Sequence, residues 1–108
     1  MGAVWACHCR QCHKTSGHFS ASFDADPATI TWGARDSRDH VSPAGGIRSF
    51  CPHCGSGLTS HKGDVCSIEA GVIANPTGGH LAGHVFVAEK GDYCALSDGL
   101  PQFPASEA

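Results

Sequence analysis

Two short cysteine motifs carry most of the chemistry this sequence can do: C-H-C-R-Q-C over Cys7–Cys12 and C-P-H-C-G over Cys51–Gly55. Thiolates suit zinc, which is normally four-coordinate and tetrahedral. In the second motif the two cysteines flank a tight turn, so both sulfurs can converge on one ion. Gly55 permits a left-handed backbone there, and nearby N–H groups can point at the sulfurs. In the first motif Cys7 and Cys9 are two apart, so an extended backbone sends both side chains from one face, and Cys12 arrives after a turn. Three protein ligands with one open position describe a catalytic zinc, whereas a structural zinc is closed by four. The open position takes water or a substrate thiol, which zinc stabilises as a thiolate near neutral pH. A second arrangement is also open: two of Cys7, Cys9 and Cys12 join Cys51 and Cys54 in one closed four-sulfur site. Spacing alone favours that shared site.

The remaining reactive residues read more plainly. Of the eight histidines, His8 and His53 sit between candidate ligands, where side chains are expected to point outward to solvent. His13 and His18 are placed to line an open metal position and move a proton. His84 is expected in a hydrogen-bonded structural role, and His40, His61 and His80 in solvated stretches. Cys66 falls on an apolar strand face and reads as a buried core thiol, while Cys94 is ambiguous. Arg48 can attract a substrate carboxylate, although a surface salt bridge is the simpler expectation. Asp98-Gly99-Leu100-Pro101 reads as a turn that pins the C-terminal segment.

The elements that must position these groups are mostly strands. Glycine is abundant, one Met is present, and long-chain helix formers are scarce in the 108 residues, which favours strands joined by turns. His18–Asp24 alternates, with Phe19, Ala21 and Phe23 against Ser20 and Ser22, as a half-buried strand does. Thr29–Trp32 reads as a strand after a turn at Asp26-Pro27. Ala34–Gly46 reads as a loop or poor edge hairpin, and Ile47–Cys51 as a short strand delivering the second motif. Asp64–Ile73 sets Cys66, Ile68, Ala70 and Val72 against Val65, Ser67 and Glu69. His84–Lys90 is strand-like, Pro76–His80 is at most a helical turn, and no helix is expected. The fold expected is mainly β, a small twisted sandwich or open barrel.

One domain over residues 1–103 and a fraying tail at 104–108 follow from length and pattern. A domain this small needs a staple, and metal is preferred to disulfides: the seven cysteines are an odd number, three crowd within one motif, and Met1–Ala6 resembles no secretory signal. A cytoplasmic location is therefore expected, with no membrane span. Net charge is −3 with histidine neutral, and no basic stripe interleaved with aromatics exists, which counts against a nucleic-acid-binding zinc ribbon.

The ordered set C-H-C-R-Q-C-H-K-T-S-G, R-S-F-C-P-H-C-G-S-G-L, G-V-I-A-N-P, H-V-F-V and D-G-L-P-Q-F resembles the glutathione-dependent formaldehyde-activating enzyme family from about Cys7 to Phe103. The resemblance implies a zinc-containing, mostly β, Mss-four-like fold. The implied activity is a carbon–sulfur lyase run in the synthetic direction, condensing a thiol such as glutathione with formaldehyde to S-hydroxymethylglutathione. By the same resemblance Cys7, Cys9 and Cys12 hold a catalytic zinc, and Cys51 and Cys54 supply two ligands of a separate structural zinc. The family's upstream C-x-C-G segment, source of the other two structural ligands, does not precede Cys7 here. The expectation is an N-terminally short member with an exposed sheet edge, whose structural site is lost or completed by other residues. The alternative is a non-catalytic domain held by one closed four-cysteine site. No residue contacting the thiol substrate is assigned.

Overall fold

The computed structural model describes residues 2–25, 37–42, 45–63, 65–73 and 76–106. Among them, seven strands form one continuous mixed sheet: β1 Ala3–Cys7, β2 Ser20–Ala25, β3 Arg38–Val41, β4 Ile47–Phe50, β5 Gly57–Lys62, β6 Val65–Glu69 and β7 His80–Val85, in the spatial order β3-β4-β5-β6-β2-β1-β7. Every neighbouring pair is antiparallel except β1 with β7, which run parallel. The architecture is thus mainly β, as composition and alternation lead one to expect.

The register sorts the side chains by chemistry. Trp5 pairs with Ser22, Cys7 with Ser20, Ser22 with Glu69 and Asp24 with Ser67. Ser60 faces both Ser67 and Arg48. Paired residues share a sheet face, so this face is polar and carries serines, acids, Arg48 and the first cysteine. The opposite face takes Val4, Ala6, Phe23, Cys66, Ile68 and His84. Among the described residues, buried apolar side chains are few, being Val4, Ala6, Cys12 and Cys66, and they are outnumbered by buried His8, Ser20, Ser42, Ser49, Thr59 and His84. An interior this small and this polar supplies little apolar burial, the condition in which small domains rely on a staple.

Several elements differ from the sequence expectation. An α-helix, α1, spans Arg10–Ser16; Cys9 is its N-cap, with Sγ accepting from the Cys12 amide at 3.4 Å, and Gly17 ends it in the left-handed region at φ 80°. The seven residues are too few for an apolar repeat to show, which is why periodicity misses them. β7 begins and ends earlier than the alternation in His84–Lys90 indicates. Phe86 takes a left-handed conformation at φ 56°, and the chain continues through a 3-10 turn at Val87–Glu89. Residues 76–79 form no helical turn. Ala70 and Val72 leave the β6 face, because Ala70–Val72 is a 3-10 turn. The hairpin half of the loop-or-hairpin expectation is what forms: β3 and β4 pair in register from Arg38–Phe50 to Val41–Ile47. β3 is the edge, exposed throughout, and its Arg38, Asp39 and His40 are polar guards against pairing with other chains. Thr29–Trp32 and the Asp26-Pro27 turn lie outside the described residues.

The other edge of the sheet is covered. The His84 amide donates to the Pro101 carbonyl, the Phe103 amide to the His84 carbonyl, and the Phe86 amide to the Ala105 carbonyl, each at 2.8–2.9 Å. Residues 104 and 105, part of the stretch expected to fray, are thereby tied to the end of β7 and the turn that follows, and residues 107–108 lie outside the described set. β1 lies inside the sheet between β2 and β7. No described helix is long and apolar enough to cross a membrane.

Candidate metal centre

β1 delivers Cys7 to the polar face at its last residue. The chain then passes through His8 to Cys9, and α1 turns Cys12 back toward both. The three sulfurs lie within 4.8 Å of one another, a group that can hold a metal ion. Cys7 and Cys9 are half-buried and Cys12 is buried. An ion at ~2.3 Å from each of two tetrahedrally placed sulfurs sets them roughly 3.8 Å apart, so the donor set and its spread fit a thiolate-bound metal. Among the described residues, which include every cysteine and histidine of the chain, no other group of three metal-ligating side chains gathers in this way.

Arg48 reaches this cluster from β4, and its guanidinium donates to Cys12 Sγ at 3.3 Å. The expected surface salt bridge is therefore replaced by a cation against a sulfur. The hydrogen bond from Cys7 pulls the Cys12 thiol down to about 5; Arg48 and Cys9 add to this against the opposing effect of burial. Cys7, donating that bond and partly buried, is pushed correspondingly up.

A cavity of about 310 Å³ opens from the cysteines along the polar face. Its walls are the serines and acids of β2, β5 and β6, with Trp5, Val85 and Phe86 as the apolar side. Ser20 Oγ lies 2.7 Å from both Glu69 carboxylate oxygens, and burial pushes the Glu69 carboxyl up. Ser67 Oγ donates to Asp24 Oδ1 at 2.8 Å. These residues were not singled out by sequence reasoning. Their only signal was the serine half of the alternation in β2 and the Ser67–Glu69 half in β6, which an exposed face would show equally well.

Other expectations fall out unevenly. His8 is wholly buried rather than solvent-facing: its Nε2 lies 2.9 Å from His84 Nδ1, and Phe19 packs at 5.0 Å between ring centres. His84 has the hydrogen-bonded role expected of it, bonding His8 on one side and Asp98 on the other. Neither His13 nor His18 lines the cavity; both instead stack near Tyr93, at 5.9 and 5.7 Å. His61, expected in solvent, is half-buried, with Nε2 3.3 Å from Thr59 Oγ1. Cys66 is a buried thiol, as expected, and Cys94 Sγ sits 3.9 Å from His18 Nε2. His40, His53 and His80 are exposed.

The second motif forms the tight turn its spacing implies. The Gly55 amide donates to the Cys51 carbonyl at 2.7 Å, the Cys51 amide to the Ser56 carbonyl at 2.9 Å, and Gly55 is left-handed at φ 81°. Cys54 is exposed, and the Ser56 hydroxyl beside it lowers its thiol. Neither Cys51 nor Cys54 joins the sulfur cluster of the first motif.

Comparison with known proteins bears on the same residues. No curated protein matches the chain, whereas the model of the glutathione-dependent formaldehyde-activating enzyme matches residues 2–89. That span takes in both cysteine motifs and all seven strands. A match over so much of the sequence, taking in a sulfur cluster that can hold a metal, places the chain in the glutathione-dependent formaldehyde-activating enzyme family.

Proposed function

We propose that this protein is a zinc-dependent enzyme of the carbon–sulfur lyase type, joining a small thiol such as glutathione to formaldehyde or a related small carbonyl. The observation that carries this reading is the convergence of the Cys7, Cys9 and Cys12 sulfurs within 4.8 Å at a cavity large enough for a small thiol. These three cysteines would hold the ion, leaving one place for a further ligand. Zinc bound there supplies the means to keep an incoming thiol in its thiolate form near neutral pH.

The chain's own groups do the rest. Arg48, on Cys12 Sγ, offsets the negative charge that three thiolates bring to the site. Trp5, Val85 and Phe86 exclude water from one wall, and the serines of β2, β5 and β6 offer hydroxyls to the polar parts of the thiol substrate. In the reaction the S–H bond breaks, a sulfur–carbon bond forms, and the carbonyl oxygen takes a proton. Glu69, steadied by Ser20 and with its carboxyl pushed up by burial, is the cavity group suited to accept the thiol proton and return it to the new hydroxyl. Cys51 and Cys54 are assigned as half of a second zinc site that other ligands must complete. A cytoplasmic setting, where thiols stay reduced, fits seven free cysteines.

The test is metal content and the rate of exchange between free and thiol-bound formaldehyde on the same preparation. Zinc on three sulfurs and one lighter neighbour, with exchange accelerated and abolished by Cys12→Ala, supports the reading. One zinc on four sulfurs with no acceleration overturns it in favour of a closed, non-catalytic site.

A further inference from the structure

His8 lies between two candidate ligands, yet its own side chain turns away from them. Cys7 and Cys9 face the cavity, while the His8 ring enters the opposite side of the sheet and is 0 % exposed. There it meets His84, itself 2 % exposed, and His84 meets Asp98: Nε2 of His8 is 2.9 Å from Nδ1 of His84, whose Nε2 is 2.7 Å from Asp98 Oδ2. The other Asp98 oxygen accepts from the Leu100 amide at 3.0 Å, across the turn that Gly99 makes at φ 77°.

Hydrogen-bond valence fixes the direction of this chain. An ionised carboxylate only accepts, so His84 Nε2 carries a proton. A neutral His84 then presents a bare Nδ1, and His8 must donate to it from Nε2. His8 Nδ1 is left as a bare lone pair, and it is the one buried side-chain nitrogen or oxygen among the described residues with no partner. The reverse order would bury an unpaired N–H donor at that place, which folded proteins rarely tolerate.

We propose that Asp98, His84 and His8 form a positioning relay for the first cysteine motif, and that the metal affinity of the Cys7, Cys9 and Cys12 cluster depends on it. The inference rests on those three cysteines holding a metal. The His8 amide already donates to the Val85 carbonyl at 3.0 Å, which fixes the backbone at that residue. Anchoring the ring as well fixes the rotation of the backbone on either side of it, and therefore the directions in which Cys7 and Cys9 leave the chain. Neither His84 nor Asp98 is a ligand; both act through His8. Outer groups that orient metal ligands are typically worth roughly 10–100-fold in metal affinity.

Three variants dissect the relay. His84→Gln keeps a polar end near Asp98 but none near His8; His84→Asn keeps an acceptor near His8 but does not reach Asp98; Asp98→Ala removes the anchor. Zinc affinity is read by competition against a chromophoric chelator, and the fold by circular dichroism. The expected result is a roughly 10–100-fold loss for His84→Gln and Asp98→Ala with the fold intact, and a smaller loss for His84→Asn. Equal affinity in all three overturns the relay while leaving the metal assignment standing. A parent protein that binds no zinc overturns the metal assignment and the relay together. Nitrogen NMR of the parent's histidines decides the matter if a variant fails to fold: protonated Nε2 and bare Nδ1 on His8 support the relay, and the opposite tautomer refutes it.

Discussion

Adding one methyl group at Gly83 tests the packing that connects the last strand to the site. A Cβ there would lie 2.6 Å from Trp5 Cζ3 and 2.9 Å from the Pro101 carbonyl oxygen. The Trp5 ring, half-buried on the cavity wall, has to move by about 1 Å to restore ordinary carbon–carbon contact of ~3.5–4.0 Å. Pro101 cannot yield as easily, because its carbonyl accepts the His84 amide at 2.9 Å. Overpacking of this kind costs ~1–3 kcal/mol, and weakening that bond adds ~0.5–1.5 kcal/mol. Against this stands a gain of ~0.4–1 kcal/mol from restricting the unfolded chain. The net loss expected for Gly83→Ala is about 0.5–4 kcal/mol, centred near 2 kcal/mol, a large part of the ~5–15 kcal/mol that holds a typical domain. With a urea dependence of ~1–3 kcal/mol per molar, the midpoint falls by roughly 0.5–2 M. Gly71→Ala is the matched control, because no atom lies within 4 Å of its Cβ position; it should be neutral or slightly stabilising. A Gly83→Ala protein as stable as its parent, beside a well-behaved control, would refute the close packing of Trp5 and Pro101 on β7.

Three other perturbations have defined outcomes. Burial raises the Glu69 carboxyl above its ordinary 4.5, so the folded protein holds this proton more tightly than the unfolded chain; the resulting stabilisation is complete below 4.5 and is lost as pH rises through the folded value. Glu69→Gln removes that dependence, so its stability relative to the parent should increase across that window in urea titrations; a difference independent of pH would be the contrary result. Gly17→Ala places a side chain at φ 80° at the end of α1, which costs about 1 kcal/mol and should lower the thermal midpoint by roughly 4–8 °C in a domain of this size. Removing metal with a chelator should destabilise the protein by an amount that grows with the free zinc originally present, about 2.7 kcal/mol at a hundredfold excess over the dissociation constant; a chelator-insensitive midpoint would show that the cluster holds no ion in the folded state.

What the sequence made legible was whatever depends on a short-range pattern. Alternation in His18–Asp24 gave the two faces of β2 correctly, and the C-P-H-C-G turn formed as its spacing requires. The single-residue gap between Cys7 and Cys9 sufficed to put their sulfurs together. The errors came where long-range contacts decide. His8 looked outward because its neighbours are polar and reactive, but its ring is claimed by His84, 76 positions away. The serines of β2 looked solvent-facing, yet they share a cavity with Ser60 of β5 and with Ser67 and Glu69 of β6, and Ser20 is buried. Helix α1 was invisible to periodicity; its cues were local instead, Cys9 as cap, Gly17 as stop, and Lys14 with His13 in the last turn. Arg48 gave no sign that its partner would be a sulfur.

The parallel pairing of β1 with β7 has a consequence for how the protein is made. Ala3 aligns with His80, and Cys7 with Val85, so the strand that carries the first cysteine finds one of its two neighbours only after most of the chain has left the ribosome. Contacts so distant in sequence form slowly, because a long loop must close before they repay its entropy. Until then β1 has β2 alone beside it, and Cys7, Cys9 and Cys12 belong to a nascent hairpin-and-helix fragment of about twenty residues. Such a fragment is marginal by itself in water. An ion captured by the three sulfurs at that stage would cross-link the fragment early and preserve the open β1 edge against which β7 later pairs.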